Sequence, residues 1–249
     1  LITRWDDIAG EVAAVAAAGA HRFALDAVRL HAPIKRPGKI MAIGLNYADH
    51  VAESKMETPA NQIWFAKMST AANGPFDAIQ VPKVSQFLDY EAEMVAVIGK
   101  PGRRIQEEDA WDHIAGYACY NDGSIRDWQV ATSQWTPGKN FYKTGGFGPW
   151  MVTSDEIPAG KVMRLQTILN GQVLQDTTTD KMIHNIPRQI AYISTFIPLS
   201  PGDVIVTGTP GGVGLRRNPP VWMRHGDVVE IELERVGVLR NTVVREGAA

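Results

Sequence analysis

Asp89-Tyr-Glu-Ala-Glu-Met-Val-Ala-Val-Ile-Gly-Lys100 is the stretch on which the reading of this chain turns. Its second half is a β-branched apolar run closed by Gly99, the pattern of a strand entering a turn. Strand side chains alternate faces, so Asp89, Glu91 and Glu93 share one side and Tyr90, Ala92 and Met94 the other. Same-face neighbours lie about 7 Å apart. Beside so apolar a strand, three carboxylates in a row repel at a cost that a bound cation relieves. A solvated strand end carrying scattered acids is the alternative.

Moving outward, Gly116-Tyr-Ala-Cys-Tyr120 reads as another short strand, and Asn121-Asp122-Gly-Ser-Ile-Arg-Asp127 as a turn into a helix. Asp122 then stands at a strand end. Glu91, Glu93 and Asp122 form an all-oxygen donor set, suited to Mg²⁺, Mn²⁺ or Ca²⁺ and poorly to Zn²⁺ or Cu²⁺. Three protein oxygens leave about half of an octahedral shell for water or substrate, as a catalytic metal requires. Arg126 and Asp127 are expected to form a structural pair.

Six motifs then occur in one order: Gly44-Leu-Asn-Tyr-Ala-Asp-His50-Val-Ala-Glu53, Asp89-Tyr-Glu-Ala-Glu93, Asn121-Asp122, Gly138-Lys139, Gly148-Pro149-Trp150 and Gly202-Asp-Val-Ile-Val-Thr-Gly-Thr-Pro210. Together they resemble the fumarylacetoacetate hydrolase family in its short bacterial branch, over roughly residues 33–245. That branch holds acylpyruvate and 2,4-dioxo-acid hydrolases and the isomerase/decarboxylases of aromatic catabolism. The resemblance implies a mostly β, mixed α+β fold, a rolled β-sandwich. Residues 1–38 would form a small N-terminal α/β unit with its linker, and residues 39–249 the catalytic domain. It also implies Mg²⁺ or Mn²⁺ as cofactor, with Ca²⁺ a possible occupant in a crystal, and a homodimer.

His50 and Glu53 are three apart, so on a helix they share a face. They are either a surface pair or a base whose imidazole is oriented by a carboxylate. The resemblance places them on a lid over the metal, as catalytic residues. It makes Lys139, after the Pro137-Gly138 turn, a stabiliser of oxyanion or enolate charge. Lys67, ending the strand over residues 62–67, corresponds to a lysine near the family's site. Where relatives continue Lys-Ser-Phe-Asp, this chain has Lys139-Asn-Phe-Tyr142, which brings Tyr142 into the expected substrate pocket. Thr179 matches a polar loop facing substrate. The Gly-rich run at 211–214 is either a tight turn or an anion site, and beside the other motifs Gly208 and Thr209 are expected to hold a substrate carboxylate.

The chain has 249 residues, 45% hydrophobic and 21% charged, with a formal net charge of −2. Those values are ordinary for a globular enzyme. No Lys/Arg cluster suggests nucleic acid or an anionic membrane, and no apolar run approaches the ~20 residues of a membrane helix. No secretory signal is visible, and the single Cys119 forms no internal disulfide, so a cytoplasmic location is expected. Cys119 reads as a small buried hydrophobe. There is no GxGxxG, Walker or Gly-x-Ser-x-Gly sequence to suggest nucleotide or serine chemistry.

Local signals predict a helix over residues 6–18 capped by Asp6 or Thr3, a partial strand over 23–30 and a helix over 45–54. Asn170-Gly171 marks a hairpin, Asn185 caps a helix over 186–196, and residues 234–237 close a last hairpin. The expected activity is metal-dependent hydrolysis of the C3–C4 bond of an acylpyruvate, giving pyruvate and a carboxylic acid. Decarboxylation or isomerisation of a β-keto or dienedioate acid is the alternative, and a keto-acid-binding protein without catalysis is a third.

Overall fold

The computed structural model describes residues 1–19 and 21–248, the side chain of Asp6 excepted. The strands, in chain order, are β1 Ile40–Gly44, β2 Ile63–Lys67, β3 Ala72–Asn73, β4 Ile79–Val81, β5 Leu88–Asp89, β6 Ala92–Ile98 and β7 Ile114–Asn121. They continue as β8 Ser124–Ile125, β9 Gly145–Thr153, β10 Arg164–Leu169, β11 Gln172–Thr178, β12 Val204–Val206, β13 Val228–Leu233 and β14 Gly237–Arg245. The α-helices are α1 Trp5–Ala17, α2 Ala48–Glu53, α3 Arg126–Gln129, α4 Thr136–Lys139 and α5 Ile186–Phe196. Strands predominate, as the resemblance implies. No helix among the described residues is long and apolar enough to cross a membrane.

A seven-stranded sheet runs β2-β1-β12-β6-β7-β9-β3, and a five-stranded sheet runs β11-β10-β13-β14-β4. Strand β6 lies at the centre of the first, and every one of its residues is buried. Its alternation feeds two cores. Ala92, Met94, Ala96 and Ile98 pack in the main core with Leu165, Ile231 and Leu239 of the second sheet. Val95 and Val97 join Ile40, Phe65, Ala118 and Val204 in a smaller cluster on the opposite face. A central strand buried on both faces needs an apolar run without polar alternation, and residues 94–98 supply one.

Local turn chemistry holds where predicted. Asn170 (φ 52°) and Gly171 (φ 80°) join β10 to β11 with two left-handed residues, as a type I′ hairpin turn requires. Asn185 caps α5 by accepting from Arg188 N at 3.0 Å, with Pro187 in the first turn.

Three expectations need correcting. Residues 23–30 form no strand, only an exposed 3₁₀ turn at Leu25–Ala27, because no strand pairs with them. Helix α1 is preceded by Arg4 with no side-chain cap bond, so Thr3 is not its cap; the side chain of Asp6 lies outside the described residues. The helix expected over 45–54 begins only at Ala48, since Leu45 is left-handed and Tyr47 is extended. Asn46 Nδ2 donates to His184 O (3.0 Å) and Thr207 O (2.8 Å), and its Oδ1 accepts from His184 N (2.8 Å). Those three buried bonds outweigh one more helical turn.

Candidate active site

The register of β6 against β7 assembles the acidic group. Ala92 lies opposite Asn121 and Glu93 opposite Tyr120. One step further Glu91 faces Asp122, whose N–H donates to Glu91 O at 2.9 Å. Residues opposite each other in an antiparallel pair share a face, so Glu91, Glu93 and Asp122 converge on the side of the smaller core. One carboxylate oxygen of each lies within 4.8 Å of the others, and all three side chains are buried.

Asp89 does not join them. The chain leaves the ladder at Tyr90 and Glu91, where side chains take over the backbone pairing: Glu91 N donates to Asn121 Oδ1 and Ala92 N to Gln175 Oε1. Asp89 instead accepts from Arg126 Nε (2.7 Å), Gly214 N (2.7 Å) and Leu215 N (2.9 Å).

The cations around the cluster are specific. Lys67 Nζ lies 2.5 Å from Asp122 Oδ1, and Lys139 Nζ bridges Glu91 Oε2 (2.5 Å) and Asp122 Oδ2 (2.7 Å). Arg126 joins Asp89 to Glu91 Oε1 at 2.8 Å. Four buried carboxylates therefore face three cations, and the uncompensated charge falls on Glu93. Its Oε2 accepts from Gly208 N, and no cation pairs with it among the described residues. Burial, then the charges of Asp122 and Glu91, push the Glu93 carboxyl well above the usual carboxylate range. Glu91 goes the other way. Burial opposes its ionisation, but Lys139 and Arg126 outweigh that and hold it below the usual range. Burial alone would depress the Lys139 ammonium, whereas Asp122 and Glu91 raise it, so Lys139 stays charged. Burial pulls Lys67 down despite Asp122.

These donors fit a hard divalent cation. They are oxygens only, they converge, and one of them lacks a positive partner in a buried site. Mg²⁺ or Mn²⁺ would be held by Glu91, Glu93 and Asp122.

Helix α2 sits over this floor. His50 Nδ1 lies 2.8 Å from Glu53 Oε1, and Glu53 Oε2 accepts from Gly212 N at 2.8 Å. The carboxylate thus fixes the imidazole and ties α2 to the Gly-rich turn. His50, Glu91, Glu93, Lys139, Arg126 and Thr209 all line one cavity of about 240 Å³. Its walls include Ile43, Phe65 and Trp135, and β1 ends in Gly44 because a Cβ there would lie 2.2 Å from the Trp135 ring.

The expected substrate contacts divide. Thr209 lines the cavity, its Oγ1 accepting from Gln175 Nε2 at 2.9 Å. Gly208, expected at a substrate carboxylate, has a left-handed backbone (φ 99°) and donates its N–H to Glu93 Oε2. Lys67 is fully buried against Asp122 and does not line this cavity. Tyr142 is exposed on the outside, its ring 5.3 Å from Lys143 Nζ, because the chain turns outward after α4. Thr179 lines a different cavity, with Met94 on the far face of β6, and its hydroxyl accepts from Met163 N.

Arg126 and Gln129 were not expected in the cavity, yet both line it, joined by an Arg126 Nη1 to Gln129 Oε1 bond of 2.8 Å. Arg126 does not pair with Asp127, which instead accepts from Ser85 Oγ at 2.7 Å. The signal was the spacing Asp122, Arg126, Gln129, with the last two sharing a face of α3.

Residues 39–244 match the family described as fumarylacetoacetate (FAA) hydrolase C-terminal. The chain is 43% identical over 219 residues to the mitochondrial oxaloacetate tautomerase fahd2 of Xenopus laevis, covering 87% of this chain and 69% of that protein. Among solved structures, it is similar to 5-carboxymethyl-2-hydroxymuconate delta-isomerase from Mycobacterium smegmatis. Identity there is 39% and the TM-score 0.79, over 90% of this chain and 82% of that one. It is also similar to maleylpyruvate hydrolase from Sphingobium sp. SYK-6, solved with manganese(II) and pyruvate. Identity there is 31% and the TM-score 0.84, over 98% and 84% of the two chains.

Proposed function

The chain belongs to the fumarylacetoacetate hydrolase family, and we propose that it is a metal-dependent enzyme of 2-oxo acids that moves a proton at C3, with oxaloacetate tautomerisation as its reaction. The observation that carries this reading is an oriented imidazole, a charged lysine and two carboxylates lining one small cavity, with Asp122 completing the donor set beside them. The 43% identity to an oxaloacetate tautomerase supports that reaction among those of the family.

A bound Mg²⁺ or Mn²⁺ would supply Lewis-acid polarisation of the 2-oxo group. The remaining work falls to the chain. With Nδ1 held by Glu53, His50 carries its proton there and offers Nε2 as the base. Nε2 takes a proton from C3 and returns it to the 2-oxo oxygen, giving the enol; the reverse sequence gives the ketone. Lys139, kept charged by Asp122 and Glu91, offsets negative charge developing on that oxygen.

The test is enol absorbance decay of oxaloacetate with Mn²⁺-loaded protein, against a metal-only blank. His50→Ala should lower the rate about 10²–10⁴-fold while calorimetry finds Mn²⁺ binding unchanged. A variant as fast as the parent would refute the base assignment.

A second reading, C3–C4 hydrolysis of an acylpyruvate, is favoured by the likeness to maleylpyruvate hydrolase. The same imidazole would take its proton from the water attacking C4. Pyruvate released from an acylpyruvate, without turnover of oxaloacetate, would select it.

A further inference from the structure

We infer that Arg216 is a specificity-determining residue that receives the distal carboxylate of a 2-oxo dioic acid. The inference rests on the reading that the site takes 2-oxo acids. It follows from how cations are distributed along the cavity. Arg126 and Lys139 at the floor are already engaged by Asp89, Glu91 and Asp122. Arg217, next in sequence, is spent on the fold, donating to Tyr90 Oη (2.9 Å), Gly212 O (3.2 Å) and Leu174 O. Arg216 alone combines a place on the cavity wall with a guanidinium that meets no carboxylate among the described residues. Its side chain makes one long bond, Nη2 to Ser54 O at 3.3 Å, at the C-terminal end of α2.

Its backbone, by contrast, is fixed. Arg216 ends the 3₁₀ turn Gly214–Arg216, and the Gly214 and Leu215 amides of that turn are held by buried Asp89. The carboxylate that positions Arg126 at the floor therefore also positions Arg216 at the rim. The same cavity also presents apolar surface from Leu45, Phe65, Trp135, Val213 and Leu215.

A ligand matching these environments has an oxygen-rich head for a cation held by the carboxylate cluster, a short carbon chain against the apolar wall and an anionic tail. A guanidinium meets a carboxylate with two parallel N–H bonds, so the tail chemistry is a carboxylate rather than a neutral group. A cavity of about 240 Å³ limits the chain to a few carbons. Engaging the tail would draw Arg216 from Ser54 and cost only one weak bond.

The experiment compares ligands that differ only at the tail. Calorimetry on Mn²⁺-loaded protein would measure 2-oxoglutarate against 2-oxopentanoate, and 2-oxoadipate against 2-oxohexanoate. The parent should prefer the dioic member of at least one pair by about tenfold, the worth of a charge-assisted pair discounted for the exposed position of Arg216. In Arg216→Gln the preference should fall towards unity, and Arg216→Lys should restore part of it. No preference in the parent at either length, or an unchanged preference in Arg216→Gln, overturns the inference while leaving the 2-oxo-acid reading in place. Failure of all four acids to bind overturns both.

Discussion

Replacing Glu93 by Gln should make the metal-free protein more stable and weaken its stabilisation by metal. In the acidic cluster Glu93 alone lacks a cation, and burial with the charges of Asp122 and Glu91 pushes its carboxyl well above the usual range. A carboxyl whose folded value is raised holds a proton that the unfolded chain has already released. Stability therefore falls as pH rises from the unfolded value, about 4.3, towards the folded one, by about 1.4 kcal/mol per pH unit. Gln keeps the acceptor for Gly208 N–H and cannot ionise, so its contribution to this slope is zero. Urea titrations of EDTA-treated protein should show the variant gaining on the parent as pH rises above the unfolded value, by at most about 1.4 kcal/mol per pH unit. Added Mn²⁺ should act the other way. At a hundredfold excess over Kd the parent gains about 2.7 kcal/mol, and the variant, short of one anionic ligand, gains much less. Parallel pH curves for the two metal-free proteins, or equal stabilisation by Mn²⁺, would refute the charge assignment.

Two further outcomes follow from buried groups. Asn46→Ala removes three buried hydrogen bonds and strands His184 N–H and Thr207 C=O, so urea unfolding should show a loss of about 3 kcal/mol; a loss below about 1 kcal/mol would contradict Asn46 as the anchor of the segment entering α2. Burial pushes the Cys119 thiol up to about 12, so it is overwhelmingly the unreactive thiol at about pH 8, and a disulfide reagent should label it only once the protein unfolds; rapid labelling of the native protein would contradict its burial.

Much of this molecule was legible in its residues because the deciding physics was local. Alternation in 89–100 gave the central strand and placed Glu91 and Glu93 on one face, and Asn170-Gly171 and Asn185 did their work within four residues. The His50–Glu53 pair needed only one helical turn. The rest depended on competition between groups far apart in the chain. Asp89 has the same alternation as Glu91, yet the amides of Gly214 and Leu215, more than a hundred residues on, claim it. Gly208 looked free to meet a substrate until Glu93 approached its N–H, and Asn46 looked helical until His184 and Thr207 offered better bonds. Tyr142 lies three residues beyond Lys139 and still faces solvent. The sequence by itself determined the central strand and that Glu91 and Glu93 share a face, since those follow from the pleat and from neighbours within a turn. Only the tertiary structure decided which of those acids stays unpaired, because a buried charge takes whichever donor the packing brings within about 3 Å, and no window of sequence contains that donor.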